Sequence, residues 1–355
     1  MLQTKDASQL SVIVGHDHRH GSESFASTTA RTFAVMGIKV YLMKRIVPTP
    51  YVSFGVKLLG ASFGVMITAS HNPKDDNGYK VYGPNSAQIN SPTDKLIAGL
   101  IQTKNRQLWT LNDDLEFEDP FNVIHEAYLG QIAGESFAGK LPDNIPKVVY
   151  TPMHGVGQWF QGELLKKAGL PPLTPVTEQQ SPNPNFPTVS FPNPEEGAGA
   201  LSLAFRAAEQ SQAGIVFAND PDADRFNLSE RQPDGTWCIF NGNEIALLLA
   251  DFIWRNRSSD SVKFAMVTSL VSSEMLGWMA KREGFHFEKV DTGFKNLAAA
   301  AQRLASEGYA VLLTYEEAIG YMVGTTVWDK DGLSALLTAY RLVIDLSQKG
   351  KSVKT

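Results

Sequence analysis

Short apolar runs, each closed by a small or polar turn, alternate along the chain with stretches of helical spacing. "SVIVG" (11–15) reads as a buried strand, residues 22–37 as a helix capped by Ser22 or Ser24 and stopped at Gly37, and "IKVYLM" as a returning strand. That is a βαβ unit. "KVVYT" (147–151) opens a second unit, followed by the helical "QWFQGELLKKAG" (158–169). "VKFAMVTSL" (262–270) opens a third, followed by "SSEMLGWMAKREG" (272–284). The pattern predicts an α/β protein of three consecutive α/β domains, with mixed sheets flanked by helices. The domains are expected over residues 1–145, 146–258 and 259–355.

One arrangement recurs. "GVMIT" runs into Ser70, "GIVFA" into "NDPDAD" (219–224), and "AVLLT" into "YEEAIG" (315–320). Three buried strands each deliver polar groups at their C-terminal ends, where ligands bind in open α/β sheets. The expected active-site cleft lies between the three domains. Residues 171–194 contain eight prolines, yet aromatic and β-branched residues are interleaved and a helical stretch follows at once. An ordered, extended excursion inside the second domain is therefore expected, in preference to a linker.

The chain has 355 residues, 43% hydrophobic and 19% charged, as in a soluble globular protein with room for more than one core. A net charge of −5 argues against nucleic acid or an anionic membrane as the main partner. No apolar stretch has membrane-span length and the polar start has no signal-peptide core, so the cytoplasm is expected. The one cysteine, Cys238 in "TWCIF", has no partner for an internal disulfide and reads as a small buried hydrophobe.

The sharpest chemical signal is "NDPDADR". Asp220, Asp222 and Asp224 alternate, so one loop can turn all three carboxylates to one side. Such carboxylates repel unless a cation sits among them, and hard oxygen ligands suit Mg²⁺ or Ca²⁺. An EF-hand is excluded, because Arg225 and Arg231 fall where glycine and glutamate are required. Ser70 and His71 in "TASHNP" lack a G-x-S-x-G elbow, and a histidine adjacent in sequence is poorly placed as the serine's base. A strand-end turn built from Ser70 and Asn72 is the plain reading. A phosphate-accepting serine explains more, since Lys80 and the acidic loop would supply the necessary charges. "GHDHRHGS" (15–22) places histidines at alternate positions, but no further ligand completes a zinc set. Arg19 in that stretch is the better candidate, as a fork for phosphate. Lys295 in "DTGFK" reads alone as a surface lysine.

Together these stretches resemble the α-D-phosphohexomutase family. "TASHNP" is similar to its phosphoserine loop, "DPDADR" to its magnesium loop and "YEEAIG" to its sugar-binding loop. "NGYK" and "TGFK" match its lysine-bearing turns. "TPMHGVG" and "FPNPEEG" are closest to the phosphoglucomutase and phosphopentomutase branch that includes glucose 1,6-bisphosphate synthase. The resemblance implies that Ser70 carries the transferable phosphoryl group and holds Mg²⁺ with Asp220, Asp222 and Asp224. It implies that Arg19 and Arg225 steady that group, and that His71, Lys80 and Lys295 act as acid–base or electrostatic groups. Glu316 and Glu317, with Thr292 and Gly293, would bind the sugar.

The implied activity is a phosphosugar mutase moving a phosphoryl group between C1 and C6 or C5 of an aldose phosphate through a bisphosphate. Mg²⁺ is the implied cofactor, a sugar bisphosphate such as glucose 1,6-bisphosphate the activator, and small sugar phosphates the partners. Two departures from the family pattern are expected: the residues before the first strand match no Gly-Thr-Gly-Arg-like motif, and a chain ending at "LSQKGKSVKT" is expected to lack the fourth, phosphate-binding domain. Rival expectations follow: a truncated, impaired protein that binds phosphosugar and Mg²⁺, a sugar bisphosphate synthase, or a metal-dependent phosphatase.

Overall fold

The computed structural model describes residues 6–103, 114–134, 141–142, 144–257 and 262–354. In the first unit β1 (Ser11–His16), α1 (Ser22–Val35), β2 (Lys39–Leu42), α2 (Thr49–Leu59), β3 (Phe63–Ile67) and β4 (Tyr79–Tyr82) follow one another. Their sheet runs β2-β1-β3-β4, parallel except for β4. Helices α3 (Thr93–Thr103) and α4 (Phe121–Gly134) lead out of it.

The second unit holds β5 (Val148–Thr151), α5 (Gly157–Lys167), β6 (Thr174–Pro175), α6 (Ala198–Ser211), β7 (Ile215–Ala218), β8 (Asn227–Arg231) and β9 (Trp237–Ile239). Then come α7 (Gly242–Arg255), β10 (Phe264–Ser269), α8 (Met275–Glu283), β11 (His286–Val290), α9 (Phe294–Ser306), β12 (Ala310–Glu316), β13 (Gly320–Val323) and α10 (Gly332–Gln348). The sheets run β6-β5-β7-β8-β9 and β11-β10-β12-β13. The fold is the expected succession of three α/β units with mixed sheets. The domain boundary expected at 258–259 lies outside the described residues.

All three sheets share one plan. A central strand is flanked by two parallel strands, and the second of these returns through an antiparallel partner. Strands β3, β7 and β12 occupy the same position in that plan. They are the three strands whose polar ends the sequence singles out.

The units share their interior. One apolar cluster extends from Ile13 and Tyr51 through Phe217 to Leu313 and the residues of α10. Helix α10 is buried on nearly every side, as its dense apolar sequence requires. Its Tyr340 ring meets Phe217 of the second sheet at 6.2 Å. The proline-rich excursion is ordered: Val176, Gln179 and Phe186 are buried along it. Cys238 is half-buried on β9 and packs against the core.

Helix α1 corrects one expectation. Its cap is Gly21, at φ +78°, and Ser22 is already helical. The Ser22 hydroxyl is drawn inward to the buried Asp17, donating to Oδ1 at 2.6 Å, so it is not available to cap.

Candidate active site

Strand β3 delivers Ser70 in the left-handed region, at φ 53°. That conformation costs a non-glycine residue on the order of 1 kcal/mol and persists only where the surroundings hold it. The Ser70 amide donates to Thr68 Oγ1 at 2.9 Å, and its hydroxyl donates to Asp220 Oδ2 at 3.0 Å. The turn also brings His71 Nδ1 to 3.4 Å from Ser70 Oγ. The neighbour in sequence thus stands beside the hydroxyl, whose proton is directed to Asp220. Burial, and then the Arg225 charge, lower the His71 pKa to about 4, so its imidazole is neutral at pH 7.

Arg19 takes a different place from the expected phosphate fork. Its Nη1 donates to the carbonyls of Pro73 (2.7 Å) and Asp76 (3.3 Å), and its Nη2 to those of Ser70 and Asn72 (both 2.6 Å). Nε lies 3.3 Å from Asp17 Oδ2. All five N–H groups thus face the backbone of the serine loop or its own carboxylate partner. Arg19 positions the loop from beneath, because the turn at 70–76 aims its carbonyls inward and a guanidinium alone has enough donors to satisfy them.

Strand β7 ends in the acidic loop. Asp220, Asp222 and Asp224 are fully buried, with one carboxylate oxygen of each within 4.8 Å of the others. Ala223 turns at φ 55°, and Val156 N donates to the Pro221 carbonyl at 2.9 Å. That approach needs Gly155, where a Cβ would sit 2.4 Å from Pro221 Cα. Lys80, on β4, donates to Asp222 Oδ2 at 2.7 Å and Asp224 Oδ2 at 2.8 Å. Burial opposes its charge, but the two carboxylates with Asp329 outweigh that and push its pKa up. Burial, followed by Asp222 and Asp224, raises the Asp220 pKa well above the usual carboxylate range. Asp222 Oδ1 and Asp224 Oδ1 remain buried without a hydrogen-bond partner. Orphaned hard oxygens that close together fit a divalent cation.

The remaining candidates divide. Arg225 joins the centre: its amide donates to Asp220 Oδ1 at 2.9 Å, and its Nη1 lies 3.4 Å from Glu195 Oε2. Glu316 ends β12 beside Lys330, its pKa raised by burial against the Lys330 charge. Glu317 Oε2 accepts from Ser269 Oγ (2.8 Å) and Ser272 Oγ (2.9 Å). Lys295 Nζ instead donates to Asp94 Oδ2 of the first unit at 2.9 Å. Thr292 is exposed and Gly293 starts α9 at φ 102°. Among the described residues, these last three make no hydrogen bond or ion pair with Ser70 or the acidic loop.

Three consecutive stretches match the phosphoglucomutase/phosphomannomutase α/β/α domains: domain I over 1–107, domain II over 126–235 and domain III over 241–355. The chain belongs to the phosphoglucomutase/phosphomannomutase family. Human phosphopentomutase is 41% identical over 371 residues, covering 99% of this chain and 60% of that protein. Human glucose 1,6-bisphosphate synthase is 39% identical over 374 residues, covering 98% and 60%. The chain thus spans about 60% of the length of these relatives. A phosphoglucomutase/phosphomannomutase family protein of Burkholderia thailandensis has the same fold, with TM-score 0.75 and 22% identity over 96% of this chain and 69% of that one.

The centre of this chain also includes residues that sequence reasoning passed over. Thr49 Oγ1 donates to Asp222 Oδ2, and its amide to the Asp222 carbonyl. Lys330 Nζ stands 3.4 Å from Asp224 Oδ2, and the buried Asp329 accepts from Tyr82 Oη at 2.8 Å. The signal for the last pair was present in "WDKDG" (328–332), a charge triplet set between a buried strand and an apolar helix. Thr49 left no such trace. The whole arrangement aims one hydroxyl at a carboxylate cage, with a neutral imidazole and two ammonium groups alongside.

Proposed function

We propose that the chain carries the phosphoryl-transfer centre of a phosphosugar mutase acting on aldose phosphates. The observation that carries this is the Ser70 hydroxyl, held by Asp220 at the mouth of the three-aspartate loop. In the forward half-reaction the bond between Ser70 Oγ and phosphorus breaks as a sugar hydroxyl oxygen bonds to phosphorus. The hydroxyl proton leaves with a base and returns to Ser70 Oγ, so a phosphoserine and a sugar phosphate become a serine and a sugar bisphosphate. The same step reversed, on the other phosphate, regenerates the phosphoserine.

In this reading His71, neutral at pH 7 and beside Oγ, carries the proton. Lys80 and Lys330, fixed as cations by their carboxylates, offset charge building on the phosphoryl oxygens. Mg²⁺ held by Asp220, Asp222 and Asp224 with an oxygen on Ser70 would relieve carboxylate repulsion and draw charge from the phosphoryl group. Glu316 and Glu317 would accept sugar hydroxyls, and Arg225 a phosphoryl oxygen. A sugar bisphosphate such as glucose 1,6-bisphosphate primes Ser70. A bisphosphate synthase, the function named for a relative 39% identical, would use the same Ser70 transfer and release the bisphosphate.

The test is intact mass after incubation with glucose 1,6-bisphosphate and Mg²⁺. Wild-type protein should gain one phosphoryl group and Ser70→Ala none. A gain that survives in Ser70→Ala would sink the assignment, and steady release of inorganic phosphate would favour a phosphatase.

A further inference from the structure

The excursion between β6 and α6 ends in "FPNPEEG" (191–197), which returns to the serine loop. Phe191 meets the His71 ring edge-on at 6.1 Å between centroids, and Glu195 reaches the Arg225 guanidinium. One loop therefore leans on both groups that flank Ser70. Its course is fixed from behind. Asn193 is buried and accepts the Glu195 amide at 3.2 Å. Farther back, Thr188 Oγ1 bonds both His154 Nε2 (2.8 Å) and Gln179 Nε2 (2.9 Å).

Arg225 is poised between two anions. Its amide and the Ser70 hydroxyl both donate to Asp220, at 2.9 and 3.0 Å, so the residue sits across one carboxylate from the phosphorylation point. Its guanidinium gives Glu195 a single long contact, and its Nε is buried with no hydrogen-bond partner. A guanidinium with donors in reserve takes a phosphoryl oxygen readily, since phosphate accepts in the forked geometry that Arg presents.

We propose that Glu195 is a positioning residue: its carboxylate holds Arg225 beside Ser70 while the serine is free, and yields it to the phosphoryl group once Ser70 is phosphorylated. The inference rests on the reading of Ser70 as the phosphoryl carrier. Glu195 competes with the phosphoryl group for one cation, so it keeps the phosphoenzyme from being held too tightly. The Glu195 side of the contact is exposed to solvent while Arg225 is mostly buried, which keeps the carboxylate exchangeable.

The experiment follows phosphorylation of Ser70 by glucose 1,6-bisphosphate with Mg²⁺, read by intact mass over time, with urea midpoints as a folding control. In Glu195→Gln, nearly isosteric and uncharged, the half-saturating donor concentration should fall about threefold to fivefold, the worth of a partly exposed ion pair. The phosphoryl group should also leave more slowly once the donor is removed, so a lower half-saturating concentration comes with slower loss, which loss of structure would not produce. Glu195→Asp should restore wild-type behaviour in part. In an Arg225→Gln background the Glu195→Gln change should do nothing. Equal effects with and without Arg225, or no shift in Glu195→Gln, overturn the inference while leaving the phosphoserine reading intact. A wild-type protein that gains no phosphate overturns both.

Discussion

Arg19 Nη2 donates to the carbonyl of Ser70 at 2.6 Å, so the proposed nucleophile is held through its backbone by a side chain on the neighbouring strand end. A serine at φ 53° needs that hold, and four carbonyl contacts from one guanidinium supply it. Lysine keeps the charge but has three donors on one atom and cannot span Pro73, Asp76, Ser70 and Asn72. Arg19→Lys should lose two charge-assisted bonds, about 3–6 kcal/mol if nothing relaxes. Phosphorylation of Ser70 should slow more than Mg²⁺ affinity falls, because the aspartates sit on another loop. Calorimetry for the metal alongside intact mass for the phosphate checks this, and equal losses would place Arg19 in the metal site instead.

Lys80 occupies the two aspartates that the cation would use. Removing its charge leaves Asp222 and Asp224 free for the metal while depriving the phosphoryl group of a cation. Lys80→Met should therefore bind Mg²⁺ about tenfold or more tightly, the worth of one buried charge contact, and transfer phosphate far more slowly. Weaker Mg²⁺ binding in this variant would mean that Lys80 organises the loop before the metal arrives.

Much of this centre is legible in the sequence because strand ends are. A buried run followed by alternating Asp220, Asp222 and Asp224, or by Ser70, needs only period and turn chemistry to read. Arg19 could be picked out of the sequence, but not the groups its guanidinium meets. Whether a guanidinium points at phosphate or at its own loop depends on carbonyls more than 50 positions away. Lys295 is the same problem inverted: its turn is recognisable, but its partner Asp94 lies 201 residues earlier. Gly21 displaced the expected serine caps because a buried Asp17 competes for Ser22, and local propensity carries no record of that.

Gly155 lets the loop after β5 touch the acidic loop. A Cβ there would meet Pro221 Cα at 2.4 Å and its carbonyl oxygen at 2.5 Å, both backbone atoms that cannot step aside. Gly155→Ala should cost about 1–3 kcal/mol by overpacking and displace Pro221 from between two metal-loop aspartates. Mg²⁺ affinity should fall although no ligand has changed. Gly162→Ala is the control, since its added carbon meets nothing within 4 Å. An unchanged Mg²⁺ titration in Gly155→Ala would mean the acidic loop keeps its shape without this contact.

His18 gives the fold an acid-sensitive point. Its ring packs edge-on to Phe186 at 5.3 Å, and burial, then the Arg19 charge, lowers its pKa to about 3 from 6.5. The folded pKa lies below the unfolded one, so between those values the unfolded chain binds the extra proton. The stabilisation is therefore full above pH 6.5 and lost as pH falls toward 3. From this residue alone, stability should drop by up to about 2 kcal/mol between pH 7 and pH 5. His71, lowered to about 4, adds in the same direction. His18→Phe keeps an aromatic against Phe186 and removes the titrating group. Urea midpoints at pH 7 and pH 5 should then lie closer together than in wild type, and the gap that remains is the balance of His71, His125 and His154, lowered like His18, against the buried Asp331, raised to about 6. An identical gap in the variant would show that His18 keeps its proton in the folded protein, and that the acid sensitivity arises elsewhere.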